Sequence, residues 1–371
     1  MLNYAIIMKM IEQESIIKAE STLRDCLGRV PFLRIIDIQR EVRWGRLTPD
    51  LVIRVLSEGS EKEKVLMVEV KSSGQPKLAR EAIAMLKNML AIYKDSYGIF
   101  AAPFISEESA GLCEQVGIGY VDFVGNCRFS FDRVYIEQSG NPNRLAQKRD
   151  LKSLYSTKAE RVLRVLLNNP NRSWKILELA EESRVSTGEA YNIKKLLLDR
   201  EWIKADNPGI RLTKWNRLIS EWSEKYTYIK NQIREYYSLA NTVNIESDLA
   251  EACQNRGIKY ALTGFSGAAR LAPMVKYNRA MIYIDADPDT IARALGLKEV
   301  SSGSNVMIFL PYDSGVFYRA KSIDGIEVVS PVQLYLDLKG FRGRGEEAAD
   351  EIYAGVIQKE WPQEETTPLI K

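Results

Sequence analysis

Between residues 34 and 131 the apolar positions fall into short runs: "RIIDIQREVRW", "DLVIRVLS", "KVLMVEVKSS", "YGIFAAPFI" and "GYVDFVGNCRFSF". Runs of this length, rich in β-branched and aromatic residues and bounded by polar or turn residues, predict strands, the last broken by a Gly-Asn turn into two. Two stretches among them carry a helical period instead. "PKLAREAIAMLKNMLAIYK" opens on Pro76 and lines up Leu78, Ala82, Met85, Met89 and Ile92 as an apolar face, while "SEESAGLCEQVG" starts on a serine cap and stops at Gly117. Ahead of them all, "MIEQESIIKAESTLRDCL" puts Ile16, Leu23 and Leu27 on one stripe, with Glu20 falling on that same stripe. The order is helix, three strands, helix, strand, helix, strand, which predicts an α/β domain over residues 1–140.

The pattern then changes twice. A polar stretch with Pro142, residues 141–155, reads as a linker. Over 156–217 three helical segments with short turns precede two short strands around Asn207-Pro208-Gly209, the order of a winged helix-turn-helix. Residues 218–242 read as a long amphipathic connecting helix. From 243 to 371 a second α/β unit follows, its last ten residues a free tail. The predicted fold class is therefore α/β multidomain.

Composition narrows the chemistry more than the fold. The chain has 371 residues, 45% hydrophobic and 27% charged, and a net charge of +3, too small to name a partner for the whole molecule. No apolar run reaches the roughly 18 residues a membrane span needs, and the first residues lack a signal-peptide pattern, so the expectation is a cytoplasmic protein. Cys26, Cys113, Cys127 and Cys253 form no CxxC pair and read as small core residues. The sequence contains no histidine. That excludes Ser-His-Asp and Cys-His nucleophiles and imidazole-built zinc sites, and leaves carboxylates and lysines to carry any catalysis.

Glu69 and Lys71 stand two apart on one face of their strand, and Asp50 opens the preceding strand. Paired as a hairpin, the strands bring two carboxylates together, which repel unless a cation lies between them; hard Mg²⁺ (or Mn²⁺) is the natural occupant. The bland reading of Glu69 and Lys71 is a surface ion pair on an edge strand. "PD" followed nineteen residues later by "EVK", within this order of elements, resembles the PD-(D/E)XK nucleases over residues 10 to 137. The resemblance implies a restriction-endonuclease-like fold, Asp50 and Glu69 as metal ligands, Lys71 as the catalytic lysine and Glu20 as the extra acid of the first helix. Gln75 stands where a polar residue often follows the lysine. The QxxxY element of the RecB-like branch is missing. A nuclease fold used only for binding is a third reading.

The 156–217 unit holds 13 basic and 8 acidic residues. Ser186, Thr187, Tyr191, Asn192, Lys194 and Lys195 fall on its third helix, where a recognition helix meets DNA, and Arg172, Lys175 and Arg211 are further phosphate candidates. Tyr191 reads equally well as a packing residue. "YALTGFSGAARLAP", "YIDADP" and "VVSPVQLYLDLKGFRGRGEEAADEI" resemble the C-terminal part of AbiEi-type transcriptional regulators, antitoxins of type IV toxin-antitoxin systems, over about residues 255 to 355. That resemblance implies promoter binding and a nucleotidyltransferase toxin as partner. Gly264, Ser266, Asp285 and Asp287 suggest a nucleotidyltransferase-like unit, but the gap from Gly-Ser to Asp-x-Asp is nearly double the expected one, so the two aspartates read as a solvated strand end. The expectation is a DNA-binding protein with a Mg²⁺-dependent nuclease site in a defence or regulatory setting; the alternative is a non-catalytic AbiEi-type repressor. The partners expected are DNA, a cognate toxin or defence-complex protein, and a second copy of the chain.

Overall fold

In the N-terminal part seven strands lie in one sheet in the same order as along the chain, β1 (Leu33–Arg40), β2 (Leu51–Ser57), β3 (Lys64–Val70), β4 (Ser96–Ala102), β5 (Gly119–Asp122), β6 (Cys127–Phe131) and β7 (Val134–Gln138). The computed structural model describes residues 2–41, 43, 48–142, 154–272, 277–341 and 343–361. Most of the expected linker at 141–155 and the expected tail lie outside them. Two compact units emerge: Met1–Lys152 with Leu198–Glu201, and Ser153–Leu197 with Trp202–Lys371. Among the described residues no helix is long and apolar enough to cross a membrane.

Pairing is antiparallel for β1/β2 and β2/β3, parallel for β3/β4 and β4/β5, and antiparallel again to β7. The parallel pairs need crossovers, supplied by α2 (Pro76–Ile92) and α3 (Glu107–Gln115). Helix α1 (Leu2–Leu27) packs on one face of the sheet, its Ile16, Leu23 and Leu27 meeting Leu66 and Val68 of β3. The other face, with Met67 and Phe100, is covered by Ala79, Ala82, Ile83, Leu86 and Met89 of α2. This is not the whole predicted face: Met85 and Ile92 are exposed. Gly98 of β4 explains the rotation, because its missing side chain lets Leu86 and Leu90 sit against the sheet backbone. Strand β7 follows β6 through a tight turn in which Asp132 has φ 49°, and extends the sheet beyond the two strands expected there.

In the second unit, α4 (Thr157–Leu167), α5 (Ile176–Glu182) and α6 (Thr187–Asp199) precede the hairpin β8 (Ile203–Asp206) and β9 (Gly209–Leu212). Ser156 caps α4, its side chain accepting the Ala159 N–H. Trp174 bridges to Ile210 as a short third strand. A side chain at Gly209 would lie 1.9 Å from the Trp174 carbonyl oxygen, so only glycine allows that approach.

The connecting helix expected at 218–242 does not exist as one element. Helix α7 (Trp215–Lys225) stops at Tyr226, which turns extended, and β10 (Gln232–Tyr237) joins a sheet instead. There it pairs along its length with the wholly apolar β14 (Val306–Leu310) and buries Tyr236. Backbone pairing to a buried strand overrides a helical pattern that had no partner face for its second half. With β11 (Tyr260–Leu262), β12 (Ala280–Ile284), β13 (Lys298–Glu299), β15 (Lys321–Ile323) and β16 (Ile326–Val328), the sheet runs β13-β10-β14-β12-β11-β16-β15. Helices α8 (Thr242–Gln254), α9 (Gly264–Leu271), α10 (Pro288–Ala294), α11 (Pro331–Lys339) and α12 (Arg344–Ile352) complete the unit. Fully buried Asp337 on α11 accepts from Tyr226, Tyr283, Thr263 and Gln333, tying α7 to this sheet.

Candidate functional site

The β2/β3 register pairs Leu51 with Val68, so the next step along the hairpin sets Asp50 beside Glu69. Asp50 Oδ2 accepts the Val70 N–H at 2.7 Å. Val68 points into the α1 core, so its neighbour Glu69 emerges with Met67 on the α2 side. Lys71, just past the strand, donates from Nζ to Glu69 Oε1 at 2.6 Å and stands 3.6 Å from Met85 Sδ of α2. Its own N–H donates to the Ala101 carbonyl, which holds this end of β3 on β4. Three residues on, Gly74 bridges to Ile105, and a Cβ there would meet the Phe104 carbonyl oxygen at 2.1 Å. The chain therefore leaves the site along a path that only glycine permits.

Burial raises the Asp50 carboxyl to about 6, the Glu69 charge and the more distant Glu12 adding to it while the Val70 N–H and Lys71 oppose it. Glu69 is 3% exposed, and its Oε2 has no hydrogen-bond partner. A buried carboxylate oxygen without a donor, beside a second carboxylate that resists ionising, is a place that calls for a cation. An oxygen-preferring divalent ion fits this donor set. Among the described residues no group of three or more His, Cys, Asp or Glu side chains is placed to hold a metal, so further ligands would come from backbone, water or substrate oxygens.

Glu20 is not brought to this pair. It sits on α1, which covers the opposite face of the sheet, and it binds Arg24 at 3.0 Å through Oε1 and Arg40 at 2.6 Å through Oε2. Burial works to raise its pKa, but the hydrogen bonds from Arg40 and Arg24 outweigh that and hold the carboxyl below its usual value. The charge of Glu12, also on α1, is the smallest of the influences on Asp50, and no hydrogen bond or ion pair joins the two. Gln75 is the residue before α2 and makes no side-chain cap.

In the second unit Thr187, Tyr191, Asn192 and Lys195 are exposed on α6, with Tyr191 57% accessible, so the packing reading of Tyr191 does not hold. Lys194 lies 5.9 Å from the Tyr191 ring centre. The Ser186 hydroxyl accepts the Glu189 N–H, which makes it a helix cap. Arg172 lies 3.8 Å over the Trp174 ring and 3.8 Å from Glu178, and Arg211 donates to Asp206 at 3.0 Å. Lys175 is exposed at the start of α5.

The Gly264, Ser266, Asp285 and Asp287 set is structural. Ser266 is fully buried and accepts the Met281 N–H, Asp287 caps α10, and Asp285 is exposed at the end of β12, as a solvated strand end should be.

Among solved structures, a repair endonuclease from Pyrococcus abyssi is similar at 15% identity, covering 28% of this chain and 46% of that one with a TM-score of 0.21. An EndoMS–dsDNA complex is similar at 16% identity over 28% of this chain and 43% of that one, also with a TM-score of 0.21. The similarity thus spans less than half the length of either structure. A search of curated proteins gave no match. From the second strand of the hairpin through α12, residues 211–358 match the family of transcriptional regulators described as AbiEi antitoxins of type IV toxin–antitoxin systems.

Proposed function

We propose that the N-terminal unit is a Mg²⁺- or Mn²⁺-dependent phosphodiesterase acting on DNA, in a DNA-binding protein of a regulatory or defence system. The observation that carries this is the convergence of Asp50, Glu69 and Lys71, with Glu69 Oε2 buried and unmatched. Asp50 and Glu69 would hold the ion, which supplies Lewis acidity toward a phosphoryl oxygen and a more acidic bound water. Lys71 spends one N–H on Glu69 and turns a second toward Met85 Sδ, a weak acceptor, which leaves one free to bind a non-bridging phosphate oxygen or orient a water for attack. Its position two residues from Glu69, just past the end of β3 with its own N–H held by the Ala101 carbonyl of β4, fixes the distance between ligand and lysine. Exposed Tyr191, Asn192 and Lys195 on α6, with Thr187, Lys194 and Lys175 nearby, support a duplex-binding role for the three-helix and hairpin unit, read as a winged helix.

The direct test is a cleavage assay on supercoiled plasmid and on branched or single-stranded DNA, with Mg²⁺, Mn²⁺ or EDTA. Wild type should cut only with metal, and Lys71→Ala should cut at least about a hundredfold more slowly while keeping its DNA affinity. A second reading, a non-catalytic antitoxin-type repressor, is favoured by the family match at 211–358. Under it, no metal supports cleavage and the first unit contributes affinity alone. A cognate toxin and self-association belong to that reading and are tested by co-purification and by sedimentation of the full chain.

A further inference from the structure

A cavity of about 500 Å³ opens within the second unit, walled by α4, α5 and the segment around residues 314–319. Among the described residues eight buried side-chain nitrogen and oxygen atoms lack a hydrogen-bond partner, and four of them belong to residues lining this cavity: Arg164 Nη1 and Nη2, Trp174 Nε1 and Ser183 Oγ. The three residues are 1%, 1% and 3% exposed. Arginine and tryptophan nitrogens only donate, and a serine hydroxyl donates readily, so these four atoms are donors with no acceptor at hydrogen-bond distance. Buried donors are almost always matched in folded proteins, so a cluster of unmatched ones in a single cavity marks a missing acceptor.

Charge at the walls agrees. Arg172, Arg184, Lys259 and Arg319 also line the space. Arg161, a further wall residue, is neutralised by Asp313 at 2.7 Å, and Arg172 is 3.8 Å from Glu178. Lining carboxylates Glu178, Glu181 and Glu182 are exposed at the rim, as are Arg172, Arg184, Lys259 and Arg319, four cations against three acids. Arg164 is held by Gln333, which accepts from Nε at 2.9 Å, and stands 3.7 Å from Glu160. That anchoring fixes the guanidinium plane, with Nη1 turned toward the Glu160 carboxylate and Nη2 the terminal nitrogen left to donate to an oxyanion.

We propose that this cavity binds a small organic phosphate of about nucleotide size. The volume lies within the roughly 300–1,000 Å³ of small-molecule sites and far exceeds what a bare phosphate ion fills. The phosphate would accept from Arg164, Ser183 and Trp174, and Arg184 and Lys259 would meet its remaining charge. Such a ligand would join the helices that carry the exposed α6 face to the domain matched at 211–358. The proposal is independent of the nuclease reading.

The test is isothermal titration of the full chain with ADP, pyrophosphate, inorganic phosphate and citrate, in wild type, Ser183→Ala, Arg184→Gln and Lys71→Ala. Arg164→Met is avoided as the main variant because its side chain is part of the core. Support is ADP binding with a Kd below about 0.1 mM, at least about tenfold tighter than inorganic phosphate or citrate, weakened at least about tenfold by Ser183→Ala or Arg184→Gln and unchanged by Lys71→Ala. Absence of ADP binding at about 1 mM, equal affinity for citrate, or wild-type affinity in both cavity variants with wild-type circular dichroism would overturn it.

Discussion

The carboxylate of Asp50 is pinned across the β2/β3 hairpin by the N–H of Val70, 2.7 Å away. That one bond turns the side chain toward Glu69, against the repulsion between the two, and makes a stability cost part of the site's geometry.

Replacing Asp50 by Asn should stabilise the protein, and only at higher pH. A carboxyl raised to about 6 in the fold, from about 4 when unfolded, binds its proton more tightly in the native state, so its presence weakens stability as pH rises from about 4 through 6. Discounted for partial exposure, Asp50→Asn should gain about 1 kcal/mol at pH 8 and nothing at pH 4. Calorimetric Tm against pH reads this, and a gain of equal size at both pH values would refute it.

Adding divalent metal should offset the same repulsion. With about 5 mM Mg²⁺ or Mn²⁺, wild type should gain Tm at pH 8, while Asp50→Asn and Glu69→Gln should not respond. This readout needs no substrate. A metal response that survives both substitutions would place the ion elsewhere.

For cleavage, Lys71→Ala should reduce the rate by at least about a hundredfold, as loss of one charge-stabilising donor typically does. Lys71→Arg should restore little, since the planar guanidinium cannot keep the 2.6 Å contact with Glu69 Oε1 and the same outward donors. Retention of near wild-type cleavage in Lys71→Ala would remove the lysine from the chemistry.

Lys195→Ala should weaken duplex binding about equally across sequences and flatten the slope of log affinity against log salt by about 1, the mark of one lost phosphate contact. Ser186→Ala should instead lower stability by about 1 kcal/mol, because its hydroxyl caps α6. An unchanged salt slope in Lys195→Ala would exclude that residue from the interface.

Two glycines separate backbone geometry from contact. Gly209→Ala should destabilise by about 1–3 kcal/mol, since its Cβ would overlap the Trp174 carbonyl oxygen and break the Trp174–Ile210 bridge. Gly188→Ala, with nothing within 4 Å of the added Cβ, should be neutral or slightly stabilising in chemical denaturation. Comparable losses at both positions would contradict the close approach.

What the sequence by itself determined was local. The period-two run around Glu69, the helical stripe of Ile16, Leu23 and Leu27, and the hairpin that sets Asp50 opposite Glu69 are all readable because each depends on a few neighbouring residues. Tertiary structure decided which of several equally apolar faces is buried. Gly98 admits Leu86 and leaves Met85 outside near Lys71; β14 draws residues 232–237 out of a helix into a sheet; and the packing of α1 on the far face commits Glu20 to Arg24 and Arg40. The cavity beside Arg164 left no local trace, because its unmatched donors come from segments brought together only in the fold. Periodicity encodes that a side chain wants a partner, and only the assembled chain supplies which partner it gets.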